Sequence, residues 1–168
     1  NSIVQKAGGG AGAGFAINVV NNNPNLPPVS PTMTQPDGSY SLSVPYGWDG
    51  VVKPVKQGYL VIDPASGMRT YGNVVSDQIE QHYKAMLEKY TIKGIIVMGD
   101  GSGPLAGVEL RDQSSNVVYA VTAPDGSYSF EQEYGWSATV VPAKANYAFD
   151  PAERAYINLQ GPQDHQDY

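Results

Sequence analysis

The sequence predicts an all-β chain of two tandem β-sandwich domains with about seven strands each, and three observations predict it. A long stretch is written twice: "PDGSYSLSVPYGW" at residues 36–48 recurs as "PDGSYSFEQEYGW" at residues 124–136. The composition, with 19 Gly, 13 Pro and 12 Tyr, is that of short strands joined by turns. Behind each Pro-Asp-Gly, apolar and polar residues alternate with the period of two that half-buries a strand: Tyr40, Leu42 and Val44 against Ser39, Ser41 and Ser43.

The repeat sets the domain count. Pro36, Tyr40, Trp48, Pro54 and Tyr59 return as Pro124, Tyr128, Trp136, Pro142 and Tyr147, and after short deletions Arg69, Tyr71, Asn73 and Tyr83 return as Arg154, Tyr156, Asn158 and Tyr168. Solenoid repeats run about 20–50 residues, so a longer period is that of a whole domain. The expected domains are residues 1–86 and 87–168.

Taken in chain order, Ile3, Val4, Gln5 and Lys6 are what the first domain has of a first strand that the second domain opens in full as "YTIKGIIVMGDG". A sandwich lacking part of an edge strand exposes unpaired backbone and an apolar groove, so these four residues are the candidate assembly strand. "GGGAGAG" at 8–14 is not read as a phosphate cradle, because strand-like "FAINVV" follows and no helix or Gly-Lys-Ser/Thr completes the site. Pro36, Asp37, Gly38 and Pro124, Asp125, Gly126 form the turn motif: Pro presets φ, Asp caps the turn, and Gly accepts φ > 0. Tyr40, Tyr46, Trp48 and Tyr128, Tyr134, Trp136 form the core motif, where the Tyr-Gly-Trp glycine bends the chain between strands and the Trp anchors the core. Val51 and Val52, and Thr139 to Val141, lead into Pro54 and Pro142, which end a strand or confine it to an edge. Residues 77–90, "DQIEQHYKAMLEKY", have a capping-box pattern and helical apolar spacing, but the matching tail "PQDHQDY" has neither. The repeat overrides the local pattern, and residues 78–86 are expected as a last strand.

Each copy resembles the prealbumin-like, immunoglobulin-type sandwich repeats of secreted bacterial proteins, grouped with carboxypeptidase-regulatory-like and Cna B-type domains. "IKGIIV" (92–97), "PLAGVEL" (104–110), "PDGSYSF" (124–130), "YGW" (134–136) and "VVPAKANYAFDPAERAYINL" (140–159) carry the resemblance, with "VKPVKQGYLVIDPASGMRTYGNV" (52–74) in the first copy. It implies a fold shared by spacers, stalks, adhesin repeats and enzyme appendages, and so no particular activity. Cna B-type relatives can carry an intramolecular isopeptide bond, for which Lys93, Glu131 or Glu133, and Asn158 or Asp164 are the implied residues. Solvated surface Lys and Glu explain the same positions.

The remaining chemistry is sparse. A net charge of -6 gives no basic face for nucleic acid or for an anionic membrane, and no apolar run approaches the roughly 20 residues of a membrane helix. With no cysteine there is neither disulfide nor thiolate metal site. His82 and His165 do not align between copies, which favours solvated histidines over a catalytic pair. Asp100 and Asp112 sit in loops that could offer oxygen ligands to Ca²⁺, but neither loop has EF-hand spacing. No metal, no cofactor and no enzymatic activity are expected. The absence of a starting Met or leader reads as a processed or excised segment, and a processed one points outside the cell; the Cys-free composition fits a surface or secreted protein and a cytosolic one alike. The expected function is a non-catalytic extracellular structural protein: the subunit of a surface filament, or a stalk or spacer. Its partners would be further copies, joined head to tail by strand complementation, or neighbouring domains of a larger chain. The alternative is an adhesin or accessory module that binds a glycan through exposed aromatics, for which Tyr71, Tyr119 and Tyr156 are the candidates.

Overall fold

The computed structural model describes residues 2–168, which form two compact units meeting in the sequence between Leu87 and Glu88. No helix occurs among the described residues. The first unit carries β1 (Ser2–Lys6), β2 (Ala16–Asn21), β3 (Thr32–Met33), β4 (Ser39–Tyr40), β5 (Trp48–Val55), β6 (Tyr59–Asp63), β7 (Arg69–Val74) and β8 (Tyr83–Leu87). They form two four-stranded sheets, in the orders β4-β1-β8-β6 and β3-β2-β5-β7. Val4, Phe15, Ile17, Tyr40, Trp48, Val52, Val61, Tyr83 and Ala85 fill the core of this sandwich.

The second unit carries β9 (Lys89–Ile95), β10 (Glu109–Asp112), β11 (Val118–Val121), β12 (Ser127–Glu133), β13 (Ala138–Ala143) and β14 (Arg154–Tyr156). Its sheets run β11-β10-β13-β14 and β12-β9. Ile92, Ile96, Val108, Leu110, Tyr128, Phe130, Val140, Tyr156 and Tyr168 make the core. Eight and six strands stand where about seven apiece were expected. In the first unit Tyr59–Val61 pair with Leu87–Ala85, whereas the matching Tyr147–Phe149 form no strand.

The two cores are locked by the same bonds. Thr34 accepts from the Phe15 amide and donates to the Gly12 carbonyl, and Thr122 does the same between Val108 and Leu105. The buried Tyr83 hydroxyl donates to the Val52 carbonyl, as Tyr168 does to Val140, so neither phenol is buried without a partner. The Arg69 guanidinium lies 5.4 Å from the Tyr83 ring and donates to the His82 carbonyl; Arg154 lies 5.2 Å from Tyr168 and donates to Asp167. These arginines combine a cation–π contact with a backbone bond at the last strand of each unit.

The ambiguous segment 77–90 forms no helix: it is strand over Tyr83–Leu87 and from Lys89 on. Tyr83 and Ala85 are buried while Lys84 is exposed, so the period of two overrides the helical spacing, and the strand starts at Tyr83 rather than at 78.

Candidate functional site

The internal repeat exposes the site, because one unit holds a strand where the other holds a groove. In the second unit β12 pairs with β9 along its whole length, from Ser127↔Ile95 through Phe130↔Ile92 to Glu133↔Lys89. In the first unit the counterpart β4 pairs with β1 only at Ser39↔Ile3 and Tyr40↔Ser2. Ser41 to Val44 then run on with no ladder partner and no backbone hydrogen bond among the described residues.

A groove of about 540 Å³ opens there, floored by Tyr40, Leu42, Val44, Trp48 and Tyr71 and bounded on its far side by Asp77, Gln78 and Ile79. Its far wall also has a counterpart. In the second unit the Gln163 amide donates to the Thr91 carbonyl, and the Lys93 amide donates to the Gln163 carbonyl, so β9 lies between β12 and this tail. Gln163 corresponds to Gln78, and the two are held alike: each side-chain amide donates two residues back, to Gly161 and to Ser76. Gln81 and Gln166 make the same local bond, to Ile79 and Asp164, and Glu80 and His165 share a φ of 56°. Both walls of the groove therefore have the conformation that grips a strand in the second unit.

The motif residues divide around this feature. Pro36-Asp37-Gly38 turns the chain into β4, with Gly38 at φ 81° and its amide on the Gln35 carbonyl; Asp37 accepts from the Ser39 amide. Pro124-Asp125-Gly126 repeats this, with Gly126 at φ 74° and Asp125 accepting from Ser127. Tyr40, Trp48 and Tyr128 are buried, and Trp136 is half-buried against Tyr119, Phe130 and Tyr156. Tyr46 departs from the core assignment: it is 80% exposed at the mouth of the groove. Its counterpart Tyr134 is half-buried, with its amide on the Glu88 carbonyl.

Ile3, Val4, Gln5 and Lys6 also depart from the expectation. They are not a free arm, because β1 lies between β4 and β8, with Val4↔Tyr83, Gln5↔Lys84 and Lys6↔Ala85 in parallel register and Val4 fully buried. The aromatic candidates for a glycan face are likewise engaged: Tyr156 is buried, Tyr119 stacks on Phe130, and Tyr71 is half-buried against Trp48.

The groove has no titrating chemistry near neutrality. Burial pushes the Tyr40 phenol up to about 12 and also raises Tyr71 and Tyr83, so the three stay neutral at physiological pH. His82 accepts the Ile3 amide at Nδ1, and no cluster of three or more His, Cys, Asp or Glu side chains occurs among the described residues. Lys93 pairs with Asp164 at 3.4 Å, with both side chains about half exposed, in a screened ion pair of small stabilising value.

Asp112 is a structural carboxylate. Its oxygens accept the Ser114 amide and hydroxyl, the Ser115 amide and the Tyr119 hydroxyl, and these bonds, led by Ser114, hold its pKa well below the usual carboxylate range. Four protein donors occupy the lone pairs that a cation would need. A depressed folded-state pKa gives stability that is full above the unfolded carboxylate value, about 4, and is lost as pH falls below it. The thermal midpoint of the second unit is therefore expected to drop on acidification below about pH 4. In Asp112→Asn it should start lower at neutral pH and fall less, as calorimetry across the pH range would show.

The fold defines a chain of two β-sandwich units, the first of which holds an apolar groove beside β4. No family model matches the chain, and no curated protein does. Among solved structures it is similar to the Bacillus anthracis TIE protein, with a TM-score of 0.68 and 14% identity over 99% of this chain and 32% of that one. It spans about a third of that protein's length, and the likeness is one of fold. Looser similarity extends to a streptococcal ancillary pilin (TM-score 0.43, 12% identity, 98% of this chain and 61% of that one) and to the shaft pilin spaA of Lactobacillus rhamnosus GG (0.42, 9%, 97% and 94%).

Proposed function

We propose that the chain is a non-catalytic structural module of the cell surface, a stalk segment or filament subunit whose domains are joined to their neighbours by strand complementation. The duplication carries this reading: the same sandwich is built twice, the segment Lys84–Ile92 is laddered into a sheet of each unit in turn, and the open sheets present strand edges. Main-chain bonding at such an edge gives affinity without any reacting group, which is what a load-bearing joint requires and what an enzyme does not. Residues 1–86 and 87–168 act in this reading as separately folding domains. The glycan-binding alternative loses support because the aromatics of the two copies do not form a shared exposed face: Tyr46 is exposed where Tyr134 is half-buried.

Electron microscopy of native, unheated surface material decorated with antibody to this chain tests the proposal. Rows of regularly spaced labelled lobes are expected, whereas isolated, unassociated pairs of units would overturn it.

A further inference from the structure

In both units the first and last segments run side by side in the same direction. In the first unit β1 pairs with β8 in parallel at Val4↔Tyr83, Gln5↔Lys84 and Lys6↔Ala85, and the Ala7 amide adds a bond to the Ala85 carbonyl. In the second, β9 has residues 163–168 as its parallel neighbour, with Ile92↔Gln163 as the parallel bridge. There the Gln163 amide donates to Thr91, Lys93 to Gln163, Gln166 to Lys93, Tyr168 to Ile95 and Val97 to Tyr168. Side chains reinforce the seam at aligned positions: the Ile3 amide donates to His82 Nδ1 at 3.2 Å, and the Ile95 amide to an Asp167 carboxylate oxygen at 2.8 Å. The last segment is also pinned to both sheets. Tyr40 of β4 and Tyr71 of β7 donate to the backbone and side-chain oxygens of Gln81, as Tyr128 of β12 and Tyr156 of β14 do to those of Gln166.

The chain passes from one unit to the other through Leu87–Lys89, so tension along it reaches the end of β8 and the start of β9. Such a pull draws a first segment toward its own N-terminus and a last segment toward its own C-terminus. In parallel neighbours those directions are opposed along one axis, and the bonds between them lie across it. All the bonds of the seam then carry load together, and none opens ahead of the rest. We infer that the parallel seam of each unit is a shear clamp, a device that holds the sandwich shut against tension applied along the chain. Val4, Tyr83 and Ala85, and Ile92, Ile96 and Tyr168, are buried along these seams, which keeps water from competing for the bonds on the core side. With no cysteine the chain holds neither seam by a disulfide, so hydrogen bonds and the core bear the load. The inference rests on the structural-module reading for its use in the cell, but it is read on single molecules and that reading in microscopy, so either can fail alone.

A clamp of this kind makes resistance directional, and direction is what the experiment varies. Because the sequence has no cysteine, thiol handles can be placed at chosen positions of the full chain. Lys89 and Gln160 are exposed and lie at the same end of the second unit's seam, ahead of the bridged pair Ile92 and Gln163. Single molecules would be pulled in optical tweezers between Lys89→Cys and a cysteine appended after Tyr168, which shears the seam. A second variant, Lys89→Cys with Gln160→Cys, peels the same seam open from one end, bond by bond. Forced unfolding follows the barrier met along the pull rather than the equilibrium stability. A rupture force several-fold higher in the shearing geometry is therefore expected at one loading rate, while chemical denaturation gives the two variants the same midpoint and shows that both are folded. Equal forces in the two geometries, or a difference no larger than a difference in midpoint accounts for, would overturn the proposal.

Discussion

Trp48→Ala is expected to cost the first unit about 3–5 kcal/mol, the range for removing a large buried aromatic, against a typical domain stability of about 5–15 kcal/mol. Trp48 is 1% exposed, its ring lies 6.0 Å from that of Tyr71, and it covers the backbone of Gly50 so closely that a Cβ built there would be 2.0 Å from the indole. Alanine would empty that space, and the neighbouring sheet cannot collapse into it, because β5 is fixed by β2 and β7 on either side. The indole Nε1 is buried without a hydrogen-bond partner, which already costs the fold something. Trp48→Phe, which removes that N–H and keeps most of the apolar area, should therefore be distinctly milder. Trp136 is half-buried, so Trp136→Ala should cost the second unit less than Trp48→Ala costs the first. The chain has two tryptophans, so Trp136 fluorescence in Trp48→Ala reports the second unit alone. Far-UV circular dichroism should show a lowered or missing first transition while the Trp136 transition keeps its midpoint. A shift of less than about 1 kcal/mol in Trp48→Ala would remove Trp48 from the anchoring role.

The fold was legible because the residues that fix it act locally and are written twice. Alternation at Tyr40–Val44 and Tyr128–Phe130, the Pro-Asp-Gly turns and the tryptophan positions each report a backbone conformation or a buried face, and the duplication separates them from chance. Residues 77–90 were ambiguous because a single segment can satisfy both periods; the arbiter was the pairing of Tyr83–Leu87 with residues 21 to 79 positions away, a contact that local pattern does not contain. The site was half legible. The alignment of Ile3 and Val4 with Ile95 and Ile96 placed a strand at the start of the first unit, where β1 stands. The candidate assembly strand is laddered within its own unit, where β8 pairs with Val4 to Lys6 from 79 residues away, a contact that local pattern does not contain. The identity of Gln78 as the far wall was hidden as well, since a lone glutamine in a polar tail carries no signal until Gln163 is seen holding a strand. Tyr46 was placed in the core by its repeat position, and the repeat could not show that Tyr46 is exposed where Tyr134 is half-buried.

The turn glycines explain why the motif tolerates so little change, and Gly126→Ala should be among the most damaging single substitutions in the second unit. Gly126 has a φ of 74°, and a Cβ there would stand 2.4 Å from the Ile96 carbonyl oxygen and 2.9 Å from the Pro104 side chain. That carbonyl cannot move aside freely, because it accepts the Leu105 amide while the Ile96 amide donates to Gly126 itself. The conformation alone costs an L-residue about 1–2 kcal/mol. Displacing a bonded backbone carbonyl of a fully buried residue should bring the total above about 3 kcal/mol. Gly101 separates the two contributions: its φ is 76°, but nothing lies within 4 Å of a Cβ there. Gly101→Ala should therefore show the conformational cost by itself, and Gly161→Ala, with an open site and no positive φ, should be close to neutral. Chemical denaturation of the three variants gives the ordering directly, and Gly126→Ala falling no lower than Gly101→Ala would mean that the turn does not need to press on the first strand. In the first unit Gly38 repeats the arrangement, with φ at 81° and a Cβ position 2.4 Å from the Val4 carbonyl oxygen, which accepts the Gly12 amide. In each unit the Pro-Asp-Gly turn is clamped against one backbone carbonyl, that of Val4 within β1 or that of Ile96 just past the end of β9. A chain that uses this sandwich twice must spell that clamp twice.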